Sequence, residues 1–246
     1  MSQSKQSQRW DLVKLYNTLR HCCVVLYGEP GVGKTFLVAR LCHVAYKLTG
    51  KPSLYFALDE NLDTQYGLQI KAVANAEWKT YENPWDIYPE LMGLTISDAK
   101  KYSVIVLDSL TGFQEDVMEI FQSPTDPRIN LVLIRTASMI TKRFARLSHR
   151  SGTPTIIISH SASIYGDQPA GVFEKQRPAF ATRALKNVDL VLHLVKEKRG
   201  KVLRCEFYRE ILGKPPFGFI YVRQLHDFYE EFVKDPNKVL ARIRSK

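Results

Sequence analysis

The chain has 246 residues, of which 45% are hydrophobic, and a formal net charge of +10 at pH 7. A chain of this size and composition can bury a large core, which excludes a disordered protein and fits one large α/β domain. The positive charge favours an anionic partner such as nucleic acid or an acidic membrane surface, although a charged surface also serves solubility alone.

The N-terminal residues and the cysteines indicate the compartment. The first ten residues, MSQSKQSQRW, lack the apolar stretch of a signal peptide. The apolar runs further along are strand-sized, far shorter than the ~18 residues that span a bilayer. Cys22, Cys23, Cys42 and Cys205 show neither metal-site spacing nor the density of a disulfide framework. We therefore expect a cytoplasmic protein with reduced thiols and no membrane partner.

The first half of the chain predicts strands that alternate with helices. Apolar spacing and turn residues give a helix over 10–19, a strand over 22–27, a helix over 34–48, a strand over 53–58, a mainly helical stretch to 101 and a strand over 104–109. Gly50 is expected to cap the second of these helices.

The second half predicts one long helix and then mostly strands. The elements are a helix over 128–150, a strand over 155–160, a polar segment over 161–178, an antiparallel pair over 188–196 and 201–209, a short strand over 217–222 and a charged helix over 227–244. Continuous apolar strands that end in polar residues predict a doubly wound α/β fold, with a mainly parallel sheet and a C-terminal antiparallel hairpin. Its ligand is expected at the carboxyl ends of the strands.

The sequence GEPGVGKT, residues 28–35, matches the phosphate-binding pattern G-x-x-x-x-G-K-[ST] between a strand and a helix. We expect ATP as the nucleotide, with Lys34 on the β- and γ-phosphates and the Thr35 hydroxyl on Mg²⁺. The expected nucleotide-binding residues are Gly28, Glu29, Pro30, Gly31, Val32, Gly33, Lys34, Thr35 and Phe36.

Two carboxylates are candidates for the chemistry around the γ-phosphate. Asp108 ends an apolar strand, which is typical of the carboxylate that holds Mg²⁺ through water, although such a residue also forms turns. Ser109 follows it, so the base that orients water must come from elsewhere, and Glu60 after the strand over 53–58 is the candidate. Asp59 is the second choice, and a plain surface loop is the alternative for this acidic pair.

The end of the strand over 155–160 carries Ser159 and His160. Beside the Asp108 strand, these polar groups would lie near the γ-phosphate and could sense its presence. The alternative is a histidine that merely caps a strand.

The segments YGEPGVGKT, YFALDEN, VIVLDSLTGF, TIIISH and VDLVLHLVKEKRGKVLRCEF together resemble the RecA/RadA/KaiC superfamily of ATPases. The likeness covers residues 22–222, and it is greatest to the short archaeal RadA paralogues, which include RadB and other KaiC-like single-domain proteins. It implies a RecA-like P-loop NTPase core over 22–225, preceded by a polar tail and helix (1–21) and followed by a charged helix (226–246).

The resemblance implies roles for individual residues. Glu60 would be the catalytic carboxylate, Asp108 the metal aspartate, and His160 would replace the glutamine that couples the γ-phosphate to DNA loops in recombinases. Lys196 and Lys198 are spaced like the basic pair that reaches a neighbouring subunit's nucleotide, which would require a ring or filament. The alternative for this basic hairpin is a solvated edge that resists aggregation.

In the superfamily, loops after two of the strands bind single-stranded DNA, and here they correspond to residues 111–128 and 161–183. The second loop mixes basic and aromatic residues that suit phosphate neutralisation and base stacking, namely Lys175, Arg177, Phe180 and Arg183. The first loop is acidic and a poor phosphate binder. A basic stripe on the long helix (Arg135, Lys142, Arg146 and His149) is interpreted as a solvated face. Helix-borne aromatics (Trp78, Tyr81, Trp85 and Tyr88) are interpreted as core or subunit contacts.

The favoured functional interpretation is a slow Mg²⁺-dependent ATPase that binds single-stranded DNA and assists recombination and repair. Its expected protein partner is either further copies of itself, in a ring or filament, or a RadA-type recombinase. The N-terminal DNA-binding domain of full recombinases is not evident, so an accessory role is expected. The first alternative is a KaiC-like regulatory ATPase that switches a protein partner. The second, a small-molecule kinase, is disfavoured because Glu60 implies water as the nucleophile.

Overall fold

The computed structural model describes residues 11–58, 64–81, 84–121, 127–164, 175–178, 182–209, 215–222 and 225. Up to the middle of the chain the elements are α1 (Leu12–Leu19), β1 (Cys23–Gly28), α2 (Lys34–Thr49), β2 (Ser53–Ala57), α3 (Gln65–Ala74), β3 (Ala76–Thr80), α4 (Pro84–Gly93), α5 (Ile96–Ala99) and β4 (Ile105–Asp108). They are followed by α6 (Leu110–Phe121), α7 (Pro127–Ser151), β5 (Thr155–Ile164), β6 (Lys175–Pro178), a 3₁₀ helix (Thr182–Asn187), β7 (Leu190–Glu197), β8 (Gly200–Tyr208) and β9 (Phe219–Tyr221).

The strands form one sheet in the order β3-β2-β4-β5-β1-β7-β8-β9, and β6 pairs with β5. All neighbours from β3 to β7 run parallel, whereas β8 is antiparallel to both β7 and β9. The predicted α/β fold, with a mainly parallel sheet and a C-terminal antiparallel hairpin, is confirmed.

The sheet is covered on both faces, which explains why its central strands are continuously apolar. Successive residues of β1 point to opposite faces. Val24 and Leu26 join an apolar layer with α1 and α2, whereas Val25 joins the layer that contains Phe144 of α7. The first strand is therefore buried over its whole length, from Cys23 to Gly28.

Local signals define the ends of the first two helices. The Asp11 side chain accepts a hydrogen bond of 2.7 Å from the Lys14 backbone N–H at the start of α1. Gly50 has a left-handed backbone (φ 68°) and donates its N–H to the Tyr46 carbonyl at 2.7 Å. The predicted cap at Gly50 is therefore confirmed.

A buried carboxylate, Asp189, joins the two halves of the chain just before β7. It accepts a hydrogen bond of 2.8 Å from the Cys23 backbone N–H, and His149 Nε2 of α7 lies 2.7 Å from the same oxygen. Arg209, directly after β8, places its Nε 3.4 Å from the other oxygen. His149 is thus engaged with a carboxylate, while the other three residues of the basic stripe are exposed as predicted.

The stretch expected to be mainly helical contains an additional strand. Residues Ala76–Thr80 form β3, parallel to β2, and Trp78 packs on Tyr55 with 4.1 Å between ring centroids. The expectation of a helix-borne Trp78 was therefore wrong. The interpretation of the neighbouring aromatics as core contacts is confirmed, since Tyr81, Trp85 and Tyr88 pack against the core.

Two expected loops are instead regular structure. Most of the expected loop over 111–128 is α6, because Leu110 and Phe113 lie one helical turn apart and are both buried. The expected polar segment over 161–178 also begins as a strand, since β5 continues to Ile164 and β6 returns beside it. The predicted C-terminal helix lies outside the described residues.

No helix in the described part of the chain is both long and apolar enough to span a membrane.

Candidate nucleotide site

The phosphate-binding pattern forms a turn between the carboxyl end of β1 and the start of α2. Gly31 and Gly33 have φ values of +72° and +100°, a left-handed conformation that side chains other than hydrogen disfavour. Gly33 is the N-cap of α2, so the positive end of the helix dipole lies at the loop. Backbone N–H groups and a helix N-terminus in this arrangement form a phosphate-binding loop.

Lys34 is the first residue of α2 and its side chain remains with the loop. The residue is only 6% exposed, and its Nζ donates to the carbonyl oxygens of Gly28 at 3.0 Å and Glu29 at 2.9 Å. The ammonium group is therefore held among the backbone groups of residues 28–33.

The loop is connected directly to the end of β4. Thr35 Oγ1 donates to Asp108 Oδ2 at 2.7 Å, and Tyr55 Oη donates to the same oxygen at 2.8 Å. Asp108 is only 2% exposed, so these bonds fix the direction of its carboxylate. The pairing of Thr35 with Asp108 fits a magnesium site, because Mg²⁺ typically takes one or two protein oxygens and completes its shell with water and phosphate. The described residues contain no cluster of three or more His, Cys, Asp or Glu that could hold a metal alone.

Tyr55 was not among the predicted site residues. It lies in β2, where Ala57 pairs with Asp108, so Tyr55 is two residues from the register partner of the carboxylate. The signal in the sequence is the hydroxyl of a tyrosine in the middle of a mostly apolar strand, SLYFA. A buried tyrosine normally finds a partner for its hydroxyl.

The end of β5 lies beside both the loop and α6. His160 is the register partner of Gly28, which places it next to the first residue of the phosphate loop. Its backbone N–H donates to Thr111 Oγ1 at 2.9 Å, and Thr111 Oγ1 lies 2.9 Å from Ser159 Oγ. The peptide between Asp108 and Ser109 is cis. The end of β5 is thus hydrogen-bonded to the first turn of α6, which follows β4 in the chain after Ser109.

The other side of the loop packs against β7. Tyr27, the residue before Gly28, stacks on His193 with 4.3 Å between ring centroids. Burial lowers the pKa of His193, although the Glu206 carboxylate, 3.5 Å from its Nδ1, acts in the opposite direction. Burial thus favours the neutral form of His193 beside the loop.

Gly28 approaches the backbone of β7 closely. A methyl group on its Cα would lie 2.3 Å from the carbonyl oxygen of Leu194, a backbone atom that cannot rotate away. We expect Gly28→Ala to lower the free energy of unfolding by about 1–3 kcal/mol. The melting temperature, followed by circular dichroism, should fall by several degrees.

Gly93→Ala is the matched control, since the added methyl meets no atom within 4 Å. Its melting temperature should equal or exceed that of the wild type, because Gly93 lies in a helix. Equal melting temperatures for Gly28→Ala and the wild type would show that the loop and β7 are not in contact.

The predicted basic pair lies on the β7–β8 hairpin. Lys196 is near the end of β7 and pairs in register with Lys201 of β8, and Lys198 lies in the exposed turn between the strands. The Nζ of Lys201 lies 2.9 Å from the position that a Cβ on Gly33 would occupy. Lys201 was missed by sequence reasoning because it is 168 positions from Gly33 (201 − 33) and only the hairpin register brings it to the loop.

The remaining predicted residues are only partly described. Glu60 and Phe180 lie outside the described residues, as does Asp59. The backbones of Lys175 and Arg177 belong to β6, where they pair with Ile164 and Ala162. Arg183 lies in the 3₁₀ helix that precedes β7. Their roles stay predictions.

Comparisons with known proteins agree with this geometry. The sequence model of an AAA domain matches residues 20–126, which include the phosphate loop and Asp108. A solved structure described as the RadB recombinase is similar over 84% of this chain and 89% of that one, with a TM-score of 0.54 and 16% sequence identity. No curated protein matches the sequence. The chain therefore shares its RecA-like α/β fold with that structure.

Proposed function

We propose that this chain is a Mg²⁺-dependent ATP hydrolase of the RecA/RadA type that binds single-stranded DNA and assists homologous recombination and repair as a recombinase paralogue. The observation that carries the hydrolase proposal is the hydrogen bond between Thr35 and Asp108, which joins the phosphate loop to the carboxyl end of β4. A hydroxyl and a carboxylate meet at the point where a loop-bound triphosphate would end.

Each residue of the candidate site has a distinct role in the proposed reaction. Lys34 binds the β- and γ-phosphates, and the loop N–H groups and the dipole of α2 bind the rest of the phosphate chain. Thr35 and Asp108 would hold Mg²⁺, which when bound would neutralise charge on the phosphates. Tyr55 orients the carboxylate of Asp108. Glu60, two residues beyond Leu58, orients the attacking water and accepts its proton, and His160 senses the γ-phosphate.

The position of the antiparallel pair β5–β6 favours DNA as the partner. The strands β5 and β6 continue beyond the carboxyl end of the parallel sheet, on the same side as His160. This hairpin carries Lys175 and Arg177, which are candidates for phosphate contacts. A nucleotide-dependent change at His160 would act on the strand that continues into the hairpin.

The central test is ATP turnover with and without single-stranded DNA, on protein whose oligomeric state is measured by sedimentation. We expect slow turnover alone and faster turnover with DNA. Glu60→Gln should lower turnover by about 10²–10⁴-fold, the usual contribution of general acid–base catalysis, and leave ATP binding intact. Absence of turnover in every condition would contradict a hydrolase. Stimulation by a protein but not by DNA would favour a KaiC-like regulatory ATPase.

The DNA contact has its own test. Lys175→Glu with Arg177→Glu should weaken DNA binding and reduce the slope of affinity against salt concentration by about two, one for each phosphate contact. Lys142→Glu with Arg146→Glu, on the exposed face of α7, changes the net charge equally and should have a smaller effect. Equal effects of the two pairs would show that only net charge matters.

A further inference from the structure

The β7–β8 hairpin extends past the phosphate loop of the same chain. Strand β7 lies beside β1, with His193 paired to Tyr27, and the carbonyl of Leu194 packs against Gly28. Residues 195–202 therefore continue beyond the point where β1 turns into the loop. Side chains in this part of the hairpin are close to a loop-bound phosphate chain.

Two lysines of the hairpin face the same side as α2. Leu194 of β7 and Leu203 of β8 pair in register and both join the apolar layer that contains Leu37 of α2. Lys196 is two residues after Leu194, and Lys201 is two residues before Leu203. Because side chains alternate along a strand, both lysines lie on the α2 side of the hairpin, directly opposite one another.

The position of Lys201 is the most direct observation. Its Nζ is 2.9 Å from the point that a Cβ of Gly33 would occupy, so the ammonium group lies against the residue where the loop becomes a helix. The helix begins with its positive end at this residue. The amine therefore lies beside the groups that bind phosphate.

The charges on the two faces of the hairpin differ. On the face away from α2, carboxylates lie beside the basic side chains: Glu197 pairs with Arg204, and Glu206 lies 3.5 Å from the imidazole of His193. On the α2 side, no carboxylate within the described ranges forms an ion pair with Lys196 or Lys201. Like charges directly opposite on a sheet destabilise it, and the helix N-terminus adds further positive potential. An anion between these groups would relieve the repulsion.

We propose that Lys201, with Lys196 opposite, binds the phosphate chain of the nucleotide held by the loop of the same chain. The proposal deepens the proposed function and rests on it, since the anion is the ATP triphosphate. Lys196 would then act on its own chain's nucleotide, and the reach to a neighbouring subunit would fall to Lys198. Lys201 is a binding residue in this scheme. The hairpin positions its backbone, and its amine lies against the phosphate loop.

The first test is equilibrium titration of the full-length protein with ATP and with AMP. Lys201→Gln should weaken ATP binding by about 10-fold, the usual effect of losing one hydrogen bond to a charged group, and leave AMP binding unchanged. Lys201→Arg should retain most of the affinity for ATP. Lys142→Gln, on the exposed face of α7, removes the same charge at a distance and should bind ATP like the wild type.

A mixing experiment separates the chain's own site from a neighbour's site. Lys201→Gln has an intact Lys34, and Lys34→Ala has an intact Lys201. If Lys201 acts within its own chain, turnover by an equal mixture should equal the mean of the two variants. Turnover well above that mean would show that Lys201 serves a neighbouring subunit, which overturns the proposal.

The two proposals fail in distinguishable ways. A wild-type protein that binds no ATP would contradict the hydrolase proposal and, with it, the role of Lys201. A wild-type protein that binds and hydrolyses ATP, with Lys201→Gln binding ATP equally well, would leave the hydrolase intact and overturn only the role of Lys201.

Discussion

Replacing Asp108 with asparagine is expected to lower Mg²⁺-dependent ATP turnover by about 10²-fold or more, because it removes the negative charge from the group that lies 2.7 Å from the Thr35 hydroxyl. The amide has nearly the volume of the carboxylate, and its oxygen still accepts hydrogen bonds from Thr35 and Tyr55. The fold should therefore survive, and the loss should lie in metal use. Turnover measured over a range of Mg²⁺ concentrations, with the melting temperature of each protein, tests this.

Tyr55→Phe is the informative comparison for this site. It keeps the charge of Asp108 and removes one donor to it, at 2.8 Å. Groups that orient a metal ligand typically contribute 10–100-fold, so we expect an increase of about 10-fold in the Mg²⁺ concentration needed for half-maximal turnover. If Asp108→Asn turned over ATP at the wild-type rate at every Mg²⁺ concentration, the proposed role of Asp108 in metal binding would be wrong.

Lys34→Ala should lower both ATP affinity and turnover, the latter by about 10²–10³-fold. Its ammonium group is the buried cation of the loop, with Nζ 3.0 Å from the Gly28 carbonyl and 2.9 Å from that of Glu29. A short, uncharged side chain cannot replace either the charge or the donors. Titration with ATP and a steady-state turnover assay measure the two losses separately.

The control for Lys34 lies on the same helix. Lys47 is exposed in the last turn of α2, so Lys47→Ala removes an equal charge more than three turns away. Its ATP affinity and turnover should match the wild type. If Lys34→Ala also bound ATP normally, residues 28–35 would not be a phosphate-binding loop.

The centre of the sheet could be predicted because its strands carry a local signal. The apolar runs of β1, β4 and β5 match strands buried on both faces, and the predicted order of elements followed from them. Strand β3 carried no such signal. Its residues, AEWKT, include three good helix formers, and it became a strand because β2 offers an unpaired edge.

The boundaries around the expected DNA loops were wrong for a related reason. In α6, Leu110 and Phe113 have helical spacing, but the resemblance to the superfamily implied a loop at this position. In β5, the last residues, SASI, are small and mostly polar, which resembles a loop until their pairing with β6 is known. Polar composition alone therefore did not distinguish a paired strand from a loop.

The candidate site shows the same limit. Residues 28–35 form a contiguous motif, and the carboxyl ends of parallel strands meet at one edge, so the approach of Thr35 to Asp108 was predictable. Tyr55 and Lys201 were not found, because their positions depend on strand register. Strand register is determined by long-range packing. The spacing of residues within one segment therefore does not reveal it.

The location of β1 within the sheet has a consequence for synthesis on the ribosome. Its two neighbours, β5 and β7, both come from the second half of the chain, so the strand that leads into the phosphate loop pairs with residues 155–160 and 190–193. A nascent polypeptide ending at residue 126 would contain the whole motif with both strand edges unpaired, a state prone to aggregation. The candidate nucleotide site is therefore completed late in translation, because residues 190–193 lie about four fifths of the way along the chain.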